Sequence, residues 1–360
     1  MIRNADKLKP DTSWSETIWA QATEESLANH DTSARLCVAT LLPFQNQKPD
    51  WKGLEKSIRW MIECGETAGV EMAFVLNADT GYIFNLSPEL YAEVIQRFRA
   101  AFPEPKIICG ITAVGARGDQ FDPEWYHPHL DIAQDDSNVE VMIMTSQQLN
   151  ALDTERRRDA YFEIAEHITV PALAHALEPA FVPWATPFSP WLLHEIANHE
   201  KYVGGKISTL DEPHFLYWAA MCRDLGLDFA PHSGDDFGIA SAIKMGLPLL
   251  IGAGVSACPL ICEARKLWLN GSYDPRVYKL FEALQSLEDA VFRLDDQGSA
   301  AAYKHSTAVV LQLLGIIASS EVHPDCPDIR PGDEHTRMKE ALIRPLRIAD
   351  RLGIEGFRLA

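Results

Sequence analysis

Two polar residues at the ends of strand-like runs could carry out chemistry in this sequence. Lys206 lies near the end of Tyr202–Ile207, and His175 ends Val170–His175. A lysine in a desolvated pocket has a lowered pKa, so its neutral amine can attack a carbonyl carbon and form a Schiff base. A nearby imidazole is suited to moving the protons of that addition. The alternatives are a Lys206 that points outward or pairs with an acid such as Asp235, and a His175 that is merely hydrogen-bonded at a barrel rim.

Other residues that follow apolar runs could bind a substrate. In the turn Asp79-Thr80-Gly81, the hydroxyl and free amides could hold a substrate carboxylate, although an ionised Asp79 would repel one. A plain polar turn before the next helix is the alternative. Gly252 follows the last strand-like run, where a glycine lets an anion approach a helix N-terminus. The glycines around it resemble a dinucleotide-binding pattern only superficially, because they follow the last strand and not the first.

Metal ligation is a weaker interpretation of two histidine-containing segments. His232, Asp235 and Asp236 could ligate a metal, but the same residues are typical of a turn and a helix N-cap. His127 and His129 have a His-x-His spacing, yet they lie in a loop and helix segment. We therefore expect neither a metal nor a cofactor.

The elements that would position these residues alternate between short apolar runs and longer amphipathic stretches. Runs that are apolar throughout indicate strands covered on both faces, and helices between them make the strands parallel. Eight such repeats predict a (β/α)8 barrel, in which the site lies at the C-terminal ends of the strands. An open doubly wound sheet is the competing arrangement. The predicted strands are Leu36–Leu42, Glu71–Leu76, Lys106–Thr112, Val139–Met144, Val170–His175, Tyr202–Ile207, Asp228–His232 and Pro248–Ile251.

Three regions follow from this pattern: an N-terminal helical extension over residues 1–34, the barrel over 35–270, and a C-terminal helical extension over 271–360. A helix is predicted across Trp14–Leu27 in the first region. Three helices are predicted in the last region, at Pro275–Leu294, Ala300–Ile317 and Glu334–Leu352.

Composition narrows the class of partner. The 360 residues carry 32 Lys and Arg against 51 Asp and Glu, a net charge of −19, which disfavours nucleic acids and anionic membranes as partners. A small-molecule ligand is the better expectation. The seven cysteines are scattered, which suits free thiols in a reducing compartment. With no apolar signal segment in the first residues, we expect a cytoplasmic protein.

The order of several short motifs resembles the dihydrodipicolinate synthase/N-acetylneuraminate lyase family of class I aldolases. The resemblance extends from Leu36 to Gly353, and the individual motifs are short. They are Thr40-Leu-Leu-Pro-Phe44, Thr80-Gly81 with Asn85-Leu-Ser87, Val203-Gly-Gly-Lys-Ile-Ser208, Ser233-Gly-Asp-Asp236, and Leu313-Leu-Gly-Ile316 with Pro324 and Pro327.

The resemblance implies a (β/α)8 barrel with a C-terminal three-helix extension, a homo-oligomer (tetramer or dimer), and Lys206 as the Schiff-base lysine. The departures are informative. His175 stands where the family has a relay tyrosine, and Thr145–Gln148 lacks the second one. Asp79 replaces the first threonine of the pair that meets the keto-acid carboxylate, and the arginine that some members carry is missing from Pro179–Pro187. Proton transfer during Schiff-base formation therefore needs a different acid-base group, and a substrate that carries a carboxylate is disfavoured next to Asp79.

The leading hypothesis is a class I aldolase or lyase that forms a Schiff base between Lys206 and a keto-acid or sugar-derived carbonyl compound. His175 is its acid/base, and Asp79, Thr80, Gly81 and Gly252 contact the substrate. Two alternatives remain: a catalytically altered barrel that acts as a ligand-binding or assembly subunit, and the metal-assisted enzyme described above.

Overall fold

Eight parallel strands form a closed barrel in the computed structural model, which describes residues 35–116, 120–136, 138–226, 228–252, 254–271, 274–330 and 332–360. Going round the barrel, the order is β1-β8-β7-β6-β5-β4-β3-β2, so the chain winds steadily and closes between β1 and β2. The strands are β1 Leu36–Ala39, β2 Met72–Leu76, β3 Lys106–Ile111, β4 Val139–Ile143, β5 Ala172–Leu177, β6 Tyr202–Ser208, β7 Ala230–Ser233 and β8 Leu249–Ile251.

Helices between the strands cover the barrel, so the (β/α)8 prediction is confirmed and the open sheet is excluded. Three further helices follow the last barrel helix. The helices are α1 Trp51–Ala68, α2 Pro88–Ala101, α3 His127–Ala133, α4 Gln147–Ala151, α5 Thr154–Ala165, α6 Pro190–Ala197, α7 Glu212–Asp224, α8 Ile239–Lys244, α9 Gly254–Asn270, α10 Pro275–Val291, α11 Tyr303–Leu313 and α12 Glu334–Leu352. None of them is long and apolar enough to cross a membrane. The helix predicted at Trp14–Leu27 lies outside the described residues.

Local sequence explains several helix ends. The Ser87 side chain accepts a hydrogen bond from the amide of Leu90, and Pro88 occupies the first helical position of α2. Helix α1 ends at Gly69, whose φ of 67° is the left-handed conformation that glycine adopts without strain. The Ser87 cap thus fixes where a loop at the barrel mouth ends, and the Gly69 cap fixes a turn at the opposite end of the barrel.

Three strands end later than the sequence predicted: β5 at Leu177, β6 at Ser208 and β7 at Ser233. β5 and β6 pair up to Leu177 and Ser208, so the strands extend two residues beyond His175 and Lys206. β1 is shorter than predicted: after Ala39 the chain leaves the sheet, and both the amide and the hydroxyl of Thr40 donate to the carbonyl of Val75. Lys206 and His175 therefore lie below the barrel rim and not on it.

A buried ion cluster marks the N-terminal end of the barrel. Arg35, which precedes β1, donates to Glu140 on β4 at 3.1 Å, and Lys106 at the start of β3 also pairs with Glu140. Burial acts to raise the pKa of the Glu140 carboxyl, but these two cations outweigh it and the pKa is lowered. In barrels of this kind ligands bind at the opposite, C-terminal end.

Candidate active site

Lys206 points into the barrel. The side chain is only 7% exposed, and a Cβ placed on Gly234 would lie 2.6 Å from its Cε atom. Its ammonium group also interacts electrostatically with Asp79, which follows β2 on the far side of the barrel. The outward orientation considered from the sequence is therefore excluded.

Burial lowers the pKa of Lys206, while the carboxylates of Asp236 and Asp79 act in the opposite direction. Asp235, the partner considered from the sequence, forms no ion pair with Lys206 among the described residues, and its Oδ1 accepts the amide of Phe237 at 2.9 Å. Burial raises the pKa of Asp235 to about 7. The environment thus favours the nucleophilic amine of Lys206 while two carboxylates limit the effect.

His175 is the register partner of Lys206 on the adjacent strand and is completely buried. Its Nε2 lies 2.8 Å from the hydroxyl of Ser208, whereas its Nδ1 has no hydrogen-bond partner among the described residues. Burial and the charge of Lys206 hold the pKa of His175 well below its usual value. His175 is therefore in its neutral, base form at neutral pH, and it is a weaker base than an ordinary imidazole.

Asp79 and Thr80 are tied to the C-terminal extension. The Tyr303 hydroxyl donates to Asp79 Oδ2 at 2.9 Å and lies 2.9 Å from Thr80 Oγ1. The ammonium of Lys304 lies 3.0 Å from Asp79 Oδ1, and both side chains of this ion pair are largely buried. Asp79 is thus not the isolated repulsive charge that the sequence suggested.

The ring of Tyr303 is held on both sides. Phe292 stacks on it at 4.7 Å between ring centroids, and Phe181 meets it edge-on at 6.4 Å. A Cβ at Gly252 would lie 3.2 Å from both Thr80 Oγ1 and a Tyr303 ring carbon. The absence of a side chain at Gly252 therefore lets the tyrosine and threonine approach each other, and this glycine lines the same place as Thr80.

The turn around Thr80 uses its following amides internally. The amide of Gly81 donates to the carbonyl of Ala78, and that of Tyr82 donates to the carbonyl of Asp79, both at 3.0 Å. Gly81 also lies against the backbone of Asn77. The prediction that free amides in this turn bind a carboxylate is wrong for Gly81 and Tyr82, because both amides already donate hydrogen bonds within the turn.

Glu288 on α10 brings a further acid toward the barrel. The side chain is fully buried, and neither carboxyl oxygen has a hydrogen-bond partner among the described residues. Burial raises the pKa of Glu288 well above its usual value, and the charge of Asp236 acts in the same direction. At neutral pH we expect this side chain to be a neutral acid facing Asp236.

The histidines considered for metal binding contact other side chains and a backbone carbonyl. The ring of His127 stacks on His167 at 3.9 Å and that of His129 on Tyr91 at 4.0 Å, so the two histidines face different neighbours. His232 Nδ1 lies 3.0 Å from the carbonyl oxygen of Ala230. In the ranges that the structure describes, no three His, Cys, Asp or Glu side chains are grouped so as to hold a metal ion.

The structure adds residues that the sequence interpretation missed. Ser208 follows Lys206 by two, and side chains two apart face the same side of a strand, so this residue was within reach of pattern reasoning. Tyr303, Lys304 and Glu288 lie far along the chain, on helices of the C-terminal extension, and no local pattern connects them to the barrel mouth.

Three solved structures illustrate what this fold is similar to. A prophage protein of the dihydrodipicolinic acid synthase family from E. coli K12, in complex with pyruvate, matches with a TM-score of 0.70 at 13% identity, over 89% of this chain and 99% of that one. Dihydrodipicolinate synthase from Bacteroides thetaiotaomicron matches with a TM-score of 0.69 at 18% identity, over 87% and 99%. The chloride-inhibited dihydrodipicolinate synthase from Acinetobacter baumannii, complexed with pyruvate, matches with a TM-score of 0.68 at 21% identity, over 87% and 98%.

No protein-family model matches the sequence, and a search of curated proteins gives no match. The likeness to the solved structures spans nearly the whole length of each. The resemblance inferred from the sequence is therefore confirmed at the level of the fold, which is that of the dihydrodipicolinate synthase family at low sequence identity.

Proposed function

We propose that the protein is a lyase or aldolase that forms a Schiff base between Lys206 and a small carbonyl substrate. The observation that carries the proposal is the inward, buried position of this lysine, next to His175 and at the end of the barrel where such folds bind ligands. The fold likeness supports the same class of enzyme. The lowered pKa of Lys206 supports the nucleophilic form that the reaction needs.

In the first step the Nζ lone pair of Lys206 attacks the carbonyl carbon, and the carbonyl π electrons move to oxygen. A proton moves from nitrogen to that oxygen and gives a neutral carbinolamine. A second proton, taken from solvent or from a protonated side chain, lets the hydroxyl leave as water while the nitrogen lone pair forms the iminium, which can take up the electron pair of a breaking bond. His175 accepts a proton in this sequence, with Ser208 holding its Nε2 at 2.8 Å. The neutral state of His175 suits it to act first as a base.

Reductive trapping tests the proposal. Purified protein is incubated with small carbonyl compounds and borohydride, and the peptide containing Lys206 is examined by mass spectrometry. We expect an adduct on Lys206, formed at a lower pH than adducts on exposed lysines. Lys206→Met removes the nucleophile, and Lys201→Met, which changes a lysine in the turn just before the same strand, is the matched control.

A Lys206 adduct in wild type and Lys201→Met, and none in a folded Lys206→Met, supports the proposal. A wild-type protein that turns over a substrate without any reducible adduct contradicts it. Ligand binding detected by thermal shift, with neither turnover nor adduct, would instead support the ligand-binding or assembly subunit. The strongly lowered pKa of His175 favours this ligand-binding or assembly function, because such a histidine cannot serve as the general acid that the Schiff-base reaction needs.

A further inference from the structure

The hydrogen bonds around Thr80 have a fixed direction. A carboxylate only accepts hydrogen bonds, so the single phenol proton of Tyr303 goes to Asp79 Oδ2. Burial and the charge of Asp79 raise the pKa of this phenol well above its usual value, so the proton stays on the tyrosine. The remaining contact of 2.9 Å must then be donated by Thr80. The hydroxyl proton of Thr80 is therefore already in use.

A hydroxyl has one donor and two acceptor lone pairs, so a committed proton leaves Thr80 able only to accept. The neighbouring amides of Gly81 and Tyr82 donate inside the turn. A ligand group that meets the Thr80 hydroxyl must therefore donate a hydrogen bond. A ligand hydroxyl does so, whereas a carboxylate does not.

The charges at the mouth point the same way. Lys304 is engaged by Asp79 at 3.0 Å, so its charge is already balanced. The carboxylates of Asp79 and Asp236 both favour positive charge on Lys206. When Lys206 is a neutral amine, these carboxylates disfavour an anionic substrate, and an uncharged substrate is favoured.

We propose that the substrate is an uncharged hydroxy aldehyde or hydroxy ketone whose hydroxyl donates to Thr80, with Tyr303 as the residue that sets this specificity. Tyr303 acts through Thr80 and is a positioning residue. The inference rests on the proposed Schiff base at Lys206 and adds the class of substrate to it.

Three methyl ketones that differ in one substituent test whether the site prefers a hydroxyl to a carboxylate, separately from whether Lys206 forms a Schiff base. Acetone has no polar group besides its carbonyl, hydroxyacetone has a hydroxymethyl group that can donate a hydrogen bond, and pyruvate has a carboxylate in place of that hydroxymethyl group. The rate of borohydride trapping at Lys206 is measured for each probe and divided by its rate with a free lysine derivative, which removes differences in intrinsic reactivity. We expect hydroxyacetone to exceed pyruvate by about tenfold or more, the scale of one mismatched hydrogen bond.

Two variants test the assigned direction. Tyr303→Phe frees the Thr80 proton to donate, so the preference for hydroxyacetone over pyruvate should fall toward one. Thr80→Val removes the acceptor, so hydroxyacetone should lose its advantage over acetone. The matched control is Tyr202→Phe, which deletes another buried phenol hydroxyl, bonded at 2.8 Å to the carbonyl of Tyr161, and should leave the preference unchanged.

Normalised labelling by pyruvate that equals or exceeds labelling by hydroxyacetone overturns the inference while leaving the Schiff base intact. A preference that persists in both Tyr303→Phe and Thr80→Val also overturns it. Absence of a Lys206 adduct with all three ketones is a different result, because it removes the proposed function itself.

Discussion

The ion pair between Asp79 and Lys304 should anchor the C-terminal extension to the barrel. At 3.0 Å and an effective dielectric constant of about 20, the attraction between the two charges is about 5 kcal/mol. Removing one partner of a buried pair typically costs about 3–5 kcal/mol, because the other charge is left uncompensated. We expect Asp79→Asn and Lys304→Met each to lower the free energy of unfolding by this amount.

The double variant removes both charges and should cost less than the sum of the singles by about 2 kcal/mol or more. The measurement is equilibrium urea unfolding at pH 7, followed by both fluorescence and circular dichroism. The control pair is Glu55 and Arg59, which are 2.8 Å apart on an exposed face of α1 and should couple by less than about 0.5 kcal/mol. Additivity within about 0.5 kcal/mol at Asp79 and Lys304 would refute the reasoning, since it would mean that solvent screens this pair too.

Three further outcomes follow from burial and packing. Burial lowers the pKa of His232 from 6.5 to about 4, so as the pH falls the unfolded chain gains a proton before the folded protein does. The free energy of unfolding should therefore drop by about 2 kcal/mol between about pH 6.5 and 5. Urea unfolding of His232→Leu should show a smaller drop over the same range. Because Glu288 keeps a proton that the unfolded chain loses above about pH 4.5, Glu288→Gln should raise stability at pH 7 but not at pH 4 in the same assay. Gly234→Ala would bring a Cβ to 2.5 Å from the carbonyl oxygen of Ile207, so it should reduce both stability and Lys206 trapping, whereas Gly271→Ala, with open space around it, should do neither.

The barrel could be predicted from the sequence because each strand leaves a local signal. Uninterrupted apolar runs separated by amphipathic stretches are typical of strands covered on both faces, and this pattern located every strand to within a few residues. The same pattern placed Lys206 and His175 near strand ends. Their depth below the rim was not predictable, because it depends on the pairing of Leu177 with Ser208, which no local pattern shows.

The environment of Asp79 could not be predicted for a related reason. Its partners Tyr303 and Lys304 lie more than 220 positions away, on a helix whose buried run Ala308–Leu311 is suited to packing. From the sequence alone, Asp79 therefore looked like an unpaired negative charge. Sequence reasoning identified the residue and its location but gave it the wrong electrostatic surroundings.

The opposing pKa shifts in this region suggest how the acid-base roles are divided. His175, whose pKa is lowered, can accept a proton but supplies one poorly at neutral pH. The departing water of the proposed Schiff-base step needs a proton donor, and a buried acid with a raised pKa is such a group. Glu288 has that property and faces Asp236, which in turn acts on Lys206. The group with the raised pKa thus lies on the helical extension and the group with the lowered pKa on a barrel strand, two elements that the sequence alone gave no reason to connect.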